Sequence, residues 1–153
     1  MLEDQILDNG LVLGLFRPED APGIVECYRE VYGESFPLPY VYDPEAIAER
    51  NAQGKQHMLV VRDTDGRVAG LIGLFPVDGC PEMFEARQLI VREGFHHLHL
   101  GRILTDACFR DLPPMVGAKV LMGEAVCETT VSQELAAHDG MIPTGLELDS
   151  LPE

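Results

Sequence analysis

The sequence predicts an α/β domain with element order β-α-α-β-β-β-α-β-α-β, and three observations carry that reading. Between Met83 and Leu104 a strand-like run meets a tight turn that opens directly into an amphipathic helix. Two apolar runs, Met58 to Arg62 and Arg67 to Phe75, flank Asp63-Thr64-Asp65-Gly66, the composition of a hairpin turn. Segments with apolar residues at three-and-four spacing alternate with these runs along a chain of 153 residues, a length suited to one domain with its own core.

Taken in order, Leu11 to Phe16 reads as the first strand, punctuated by Arg17-Pro18-Glu19-Asp20. The helix that follows carries Ile24, Val25, Cys27, Tyr28, Val31 and Tyr32 on one face, with Pro22 in its first turn and Gly33 at its end. Ser35 to Tyr42 is too rich in proline for a regular helix. Asp43-Pro44 then supplies the N-cap and first position of a second helix that closes near Gly54. After the hairpin, Val77 to Pro81 forms a loop into the strand Glu85 to Val91. Pro113-Pro114 is expected to stop the central helix. Lys119 to Ala125 gives another strand, Thr130-x-x-Gln133 is a capping-box pattern for a last helix through His138, and Thr144 to Leu148 can supply a final strand.

The central helix buries Leu100, Ile103, Leu104, Ala107 and Cys108 and presents Arg102, Thr105, Asp106 and Arg110 as its polar face. Its first turn lies within Arg92 to Arg102, directly after the branched run Leu89-Ile90-Val91. Unpaired N–H groups and the positive end of the helix dipole make such a junction an anion site, and glycine there lets a phosphate approach the backbone.

This junction resembles motif A of the GNAT superfamily of N-acetyltransferases, in which a strand ending in a small apolar triplet precedes Arg/Gln-x-x-Gly-x-Gly/Ala and a helix. Carried over by position, the triplet is Leu89-Ile90-Val91, His96 stands where the family has Arg or Gln, His99 stands at the first glycine, and Gly101 is the second. The element order resembles the same fold over most of the chain. The resemblance implies a central mixed, mostly antiparallel sheet flanked by helices, with acetyl-coenzyme A (acetyl-CoA) as acyl donor. It places the donor's pantetheine arm between splayed strands, against Leu89, Ile90 and Val91, and its pyrophosphate over His96, His97, Leu98, His99, Leu100, Gly101 and Arg102. A backbone N–H near Ile90 or Val91 would meet the developing oxyanion. The family's further strand has no counterpart before Glu153, so residues 1–153 are expected to be a single domain that is either the N-terminal part of a longer protein or completed by another chain, as in a homodimer.

An attacking amine must be neutral, and Glu85, on the strand leading to the slot, is the candidate general base. The same residue also suits a plain cross-strand ion pair. Many members of the resembled family protonate the departing thiolate with a tyrosine four residues before the last helix's glycine, where this chain has Ala136. His99 either hydrogen-bonds phosphate when charged or blocks its approach. His96 and His99 would share a face if the helix began early, but no Cys, Asp or Glu accompanies them at ligand spacing, so no metal is expected. Ser132 lacks the context of a nucleophilic triad. The Phe36 to Tyr42 loop either lines the acceptor groove, as the resemblance implies, or covers a core edge.

Composition narrows the partners. Eleven basic and twenty-six acidic residues give a net charge of −15, which repels nucleic acid and anionic membrane surfaces and favours a small-molecule amine or basic peptide. Cys27, Cys80, Cys108 and Cys127 lack the spacing of a zinc site or redox dithiol, and with an acidic N-terminus unlike a signal peptide they suit a cytoplasmic protein. The expected function is acetyl transfer from acetyl-CoA to an amine. Ala136 and His99 favour the chief rival, a catalytically lapsed domain that binds acyl-CoA or a protein partner in a regulatory role. A third reading is a structural module completed by a partner strand.

Overall fold

Six strands lie side by side in chain order in the computed structural model, which describes residues 3–125 and 130–146. The strands are β1 (Gln5–Ile6), β2 (Val12–Leu15), β3 (His57–Arg62), β4 (Val68–Val77), β5 (Cys80–Val91) and β6 (Val120–Gly123). All neighbours are antiparallel except β5 and β6, which run parallel. Parallel pairing needs a crossover, and α3 (Leu100–Val116) supplies it. Helices α1 (Ala21–Tyr32) and α2 (Pro44–Ala52) form the other layer, and α4 (Val131–His138) follows β6.

Strand alternation divides the core between the layers. Met58 and Val60 of β3 join Leu71, Ile90, Ile24, Tyr28 and Ile47 beneath α1 and α2, while Leu59 and Val61 join Leu13, Ile72, Leu74, Phe84, Leu100, Leu104 and Cys108 beneath α3. The Asp63–Gly66 turn forms as the residues require: Asp63 Oδ1 accepts N–H bonds from Asp65 and Arg67 at 3.0 and 2.8 Å, and Gly66 takes φ +80°. Asp43 caps α2 by accepting from the Glu45 N–H at 2.9 Å.

Four expectations need correction. An added strand, β1, pairs Gln5 with Leu13; both of its residues are exposed, so no alternation announced it. Helix α3 runs through Pro113 and Pro114 to Val116, because in a last turn the two missing donors free only two carbonyls, and Gly117 closes the helix at φ +73°. Thr130 precedes α4 without a side-chain cap bond, since its backbone is already helical. Thr144, Gly145 and Leu146 are not in a strand; Leu146 is exposed with no neighbouring strand among the described residues to pair it, and Glu147 and Leu148 lie outside the described residues.

A buried ion pair joins the two layers' connections. Arg62 Nε and Nη2 donate to the two Asp20 oxygens at 2.7 and 2.6 Å, and Nη2 also donates to the Leu15 carbonyl at 2.8 Å. Asp20 further accepts the Arg17 N–H at 2.6 Å. Removing one partner leaves the other charge buried and uncompensated, so Arg62→Ala is expected to lower stability by about 3–5 kcal/mol, read as a fall in the urea unfolding midpoint. A midpoint unchanged from the parent would show that water reaches Asp20 freely.

Candidate active site

Strand β5 changes its own side-chain alternation halfway along. Arg87 pairs with Gly73 and Ile90 with Leu71, so Ile72 alone faces the extra residue, and Gln88 adopts φ +61°. Arg87 and Gln88 consequently both project toward the α1 layer: the Arg87 guanidinium lies 4.5 Å from the Phe75 ring centroid, and Gln88 bonds to Tyr28 and Tyr40. Tyr28 Oη donates to Gln88 Oε1 at 2.7 Å, and Gln88 Nε2 donates to Tyr40 Oη at 2.7 Å. Burial pushes the Tyr28 phenol well above its ordinary pKa, so it remains a donor at any working pH. Tyr28, Tyr32 and Phe36 stack with centroids 4.9–6.2 Å apart, which fixes the 35–42 loop against this bulge. The loop therefore covers a core edge, with Tyr40 bonded to Gln88.

Just before the bulge the strands separate. The β5–β6 ladder runs from Met83–Val120 to Ala86–Gly123 and stops, while β5 continues to Val91. A cavity of about 120 Å³ opens there between α3 and α4, and a second of about 450 Å³ continues along Leu89, Val91, His96, His99, Gly101, Arg102, Val131 and Leu135 to the start of α3. The sequence-predicted residues Leu89, Val91, His96, His99, Gly101 and Arg102 are thus brought together in one cleft. Ile90 points instead into the α1 core, His97 is exposed, Leu98 packs on the α3 core, and Leu100 is wholly buried beneath the helix, so only the backbone of Leu100 belongs to the helix entrance.

The turn before α3 is a 3-10 helix, Glu93–Leu98, so the α-helix does not begin early and the shared face of His96 and His99 does not arise. His96 Nε2 lies 2.8 Å from the Val91 carbonyl, to which it donates, and His99 takes a left-handed backbone at φ +54°. That conformation is where glycine is free and other residues are strained, the physical reason glycine suits the position. His99 is among the residues lining the cleft. Arg102 makes the helix's first backbone bond, to the His99 carbonyl at 3.1 Å, leaving the preceding amides at the open end. Arg102 is half-engaged by Asp106, Nε to Oδ1 2.7 Å. A Cβ added to Gly101 would approach nothing nearer than Leu89 and Leu135, at 3.9 and 4.0 Å, two residues that line this cleft. The fold does not need glycine at 101 for packing, and a side chain there would project toward the cleft.

One residue before the end of the β5–β6 ladder, Glu85 lies between Phe75 of β4 and Met122 of β6, with its side chain 12% exposed and Oε2 3.1 Å from Arg87 Nε. The ion pair expected of a strand residue is thus present, made along the strand rather than across it. Burial raises the Glu85 pKa, the Arg87 charge lowers it and the Glu124 charge raises it again, for a net rise. Ala136 lines the slot on α4 and carries no acid.

The bulge residue Gln88 and its two tyrosines escaped the sequence reading, because a left-handed Gln within a β-branched strand has no local signal. Asp106, His138 and Asp139 also gather, their ligand-type atoms within 4.8 Å of one another. They come from the two helices that flank the slot, a juxtaposition no spacing reveals. Burial and then the neighbouring Asp106 push the Asp139 carboxyl up.

The profile of the acetyltransferase (GNAT) family matches residues 22–139. The chain belongs to the GNAT acetyltransferase family, whose members transfer an acyl group. A comparison with curated proteins finds no match. Solved structures share the fold at low identity. The spermidine/spermine N-acetyltransferase SpeG of Vibrio cholerae, solved in mutant forms, superposes with TM-score 0.73 at 15% identity, covering 94% of this chain and 86% of that one. AAC(6')-Iy bound to the bisubstrate analogue CoA-S-monomethyl-acetylneamine gives 0.71 at 14%, covering 94% and 98%. Glucosamine-6-phosphate N-acetyltransferase of Arabidopsis thaliana gives 0.68 at 13%, covering 94% and 99%.

Position 101 makes a clean test. Gly101→Ala is expected to leave the melting temperature unchanged or slightly raised, since alanine favours a helix by up to about 1 kcal/mol over glycine. Its affinity for coenzyme A should fall by roughly tenfold in calorimetric titration as the methyl group enters the cleft. Equal affinities would show that the cleft at 101 holds no ligand.

Proposed function

We propose that this chain transfers an acetyl group from acetyl-CoA to the amine of a small cationic acceptor. The observation that carries the reading is the unpaired inner edge of β5 beyond Ala86, which opens beside the α3 entrance with Glu85 just before it on the strand. An extended arm bearing amides can add to such an edge through backbone hydrogen bonds, while the helix entrance and Arg102 suit its phosphates. SpeG, by its name, acetylates spermidine and spermine, and the analogue on AAC(6')-Iy joins CoA to an acetylated amine. The net charge of −15 favours a cationic acceptor of the same kind. A lapsed domain is less well supported, because the slot is open and Glu85 precedes it on β5 with a raised pKa.

In this reading the acyl group enters along β5 and the amine approaches from the side of Tyr40 and Glu85. Glu85 removes the proton that the amine nitrogen sheds as the new C–N bond forms. Arg87 holds the carboxylate in place. The three free thiols among the described residues, Cys27, Cys80 and Cys108, suit a reducing cytoplasm. Self-association through the β6 edge, which carries no further strand among the described residues, belongs to the same proposal and is read by sedimentation.

Glu85→Gln is expected to lower kcat/KM on the order of 100-fold with an amine such as spermidine, with the fold intact by circular dichroism. In the parent enzyme the rate should fall with decreasing pH as Glu85 protonates, at a higher pH than for a solvent carboxylate. Glu124→Gln removes a charge that raises this pKa and should move the acidic limb to lower pH; Arg87→Met should move it higher. If Glu85→Gln retains full activity, another base serves the reaction.

A further inference from the structure

Among the side chains lining the smaller cavity, nearly every polar group is already engaged. Arg87 pairs with Glu85, Gln88 is held between Tyr28 and Tyr40, and Thr105 Oγ1 donates to the Gly101 carbonyl at 2.8 Å. Glu124, exposed at the rim, has a carboxylate that only accepts hydrogen bonds when charged. Ser132 is different: its Oγ is buried and has no hydrogen-bond partner among the described residues. Buried hydroxyls without partners are uncommon, because each forfeits the hydrogen bond it made in water, so an unpaired hydroxyl beside a cavity marks a place where a ligand can complete the bond.

Its location narrows what that ligand atom is. Ser132 lies on α4 with Leu135 and Ala136 and lines the cavity that also touches Ala86, Arg87, Gln88 and Gly123, where the β5–β6 ladder ends. This is the Glu85 end of the slot, not the α3 entrance that suits phosphates. Ala136, one turn further along α4, presents only a methyl group. Resting on the acetyl-CoA reading above, we propose that the Ser132 hydroxyl donates a hydrogen bond to the thioester sulfur and to the thiolate it becomes.

The step balances without any further reactant. The amine nitrogen attacks the carbonyl carbon, the C–N bond forms, and the C–S bond then breaks with its electron pair passing to sulfur. The nitrogen loses one proton to Glu85 and solvent, and sulfur regains one from solvent. Ser132 stabilises the negative sulfur meanwhile and keeps its own proton overall. A hydrogen bond to a charged acceptor is stronger than one to a neutral acceptor, so the contact favours the departing thiolate over the bound thioester.

Binding tests this without relying on turnover. Coenzyme A and desulfo-coenzyme A, which differ only in the sulfur, are titrated calorimetrically into the parent chain and into Ser132→Ala. The parent is expected to bind coenzyme A on the order of fivefold more tightly than the desulfo form, and Ser132→Ala to level the two, chiefly by weakening coenzyme A. The thiol pKa of bound coenzyme A, followed by ultraviolet absorbance, should be lower in the parent than in Ser132→Ala. With an acetyl-CoA and spermidine assay, kcat should fall roughly tenfold in the variant while KM for the amine is unchanged. Losing a hydroxyl that has no partner among the described residues leaves the melting temperature of the free chain equal or higher, and Ser132→Cys provides a second variant of similar size. Equal weakening of both ligands would assign the hydroxyl to the pantetheine amides, and no weakening of either would leave it unused; each overturns the proposal. If the parent binds neither ligand, the acetyl-CoA reading itself fails.

Discussion

The site depends on one reversal of side-chain alternation, at the Gln88 bulge. A strand that kept its alternation would carry the residues after Arg87 onto the opposite faces, placing Leu89 and Val91 with α1 and Ile90 with α3. The extra residue restores the opposite arrangement, with Leu89 and Val91 packed on the α3 core and Ile90 in the α1 core. It also increases the local twist, and β5 leaves β6 one residue before the bulge begins. The left-handed conformation costs roughly 1–2 kcal/mol for a residue with a Cβ, and the Gln88 side chain's hydrogen bonds with two tyrosines offset it. The cleft, the 35–42 loop and α1 are therefore parts of a single mechanical unit.

A second anchor places the far end of the cleft. Arg92 continues the β4–β5 ladder by donating its N–H to the Ala69 carbonyl at 3.0 Å, and its guanidinium turns back to α1. There it meets Glu26 at 3.0 Å, Glu30 at 3.5 Å and Cys27 Sγ at 3.2 Å. The turn that positions the α3 entrance is thus tied to the opposite layer of the molecule. In a strongly acidic chain, the arginines at 62, 87 and 92 fix internal geometry, whereas Arg102 faces the cleft, half-shared with Asp106. Local charge at the site is set by these placements rather than by the overall balance.

Much of the frame was legible because its signals are local. Asp43-Pro44, the Asp63–Gly66 turn and the apolar stripe of α3 each act within a few residues, and each appears where expected. The line Leu89 to Arg102 was legible as a strand-turn-helix junction, though its individual members separate: Leu89, Val91, His99, Gly101 and Arg102 reach the cleft, while Ile90 and the Leu100 side chain are core. Side-chain direction after a bulge cannot be read from a strand's composition. Pro113 and Pro114 misled for a different reason, since in the last turn of a helix the lost N–H bonds and the ring's clash with the preceding turn are confined to a few residues before the helix ends anyway.

What the sequence alone determined is the run of elements from β2 to α4, the β3–β4 turn, the start of α2, and the strand-turn-helix junction before α3. These follow from residue types acting on their own backbone and near neighbours. The tertiary structure decided which of those residues meet. It set Gln88 between Tyr28 and Tyr40, sixty and forty-eight residues away, brought Glu124 near enough to Glu85 to raise its pKa, and left the Ser132 hydroxyl buried in the slot without a partner among the described residues. Such outcomes turn on how sheet twist and helix docking close the space between distant segments, and burial and long-range pairing exist only once the layers are packed.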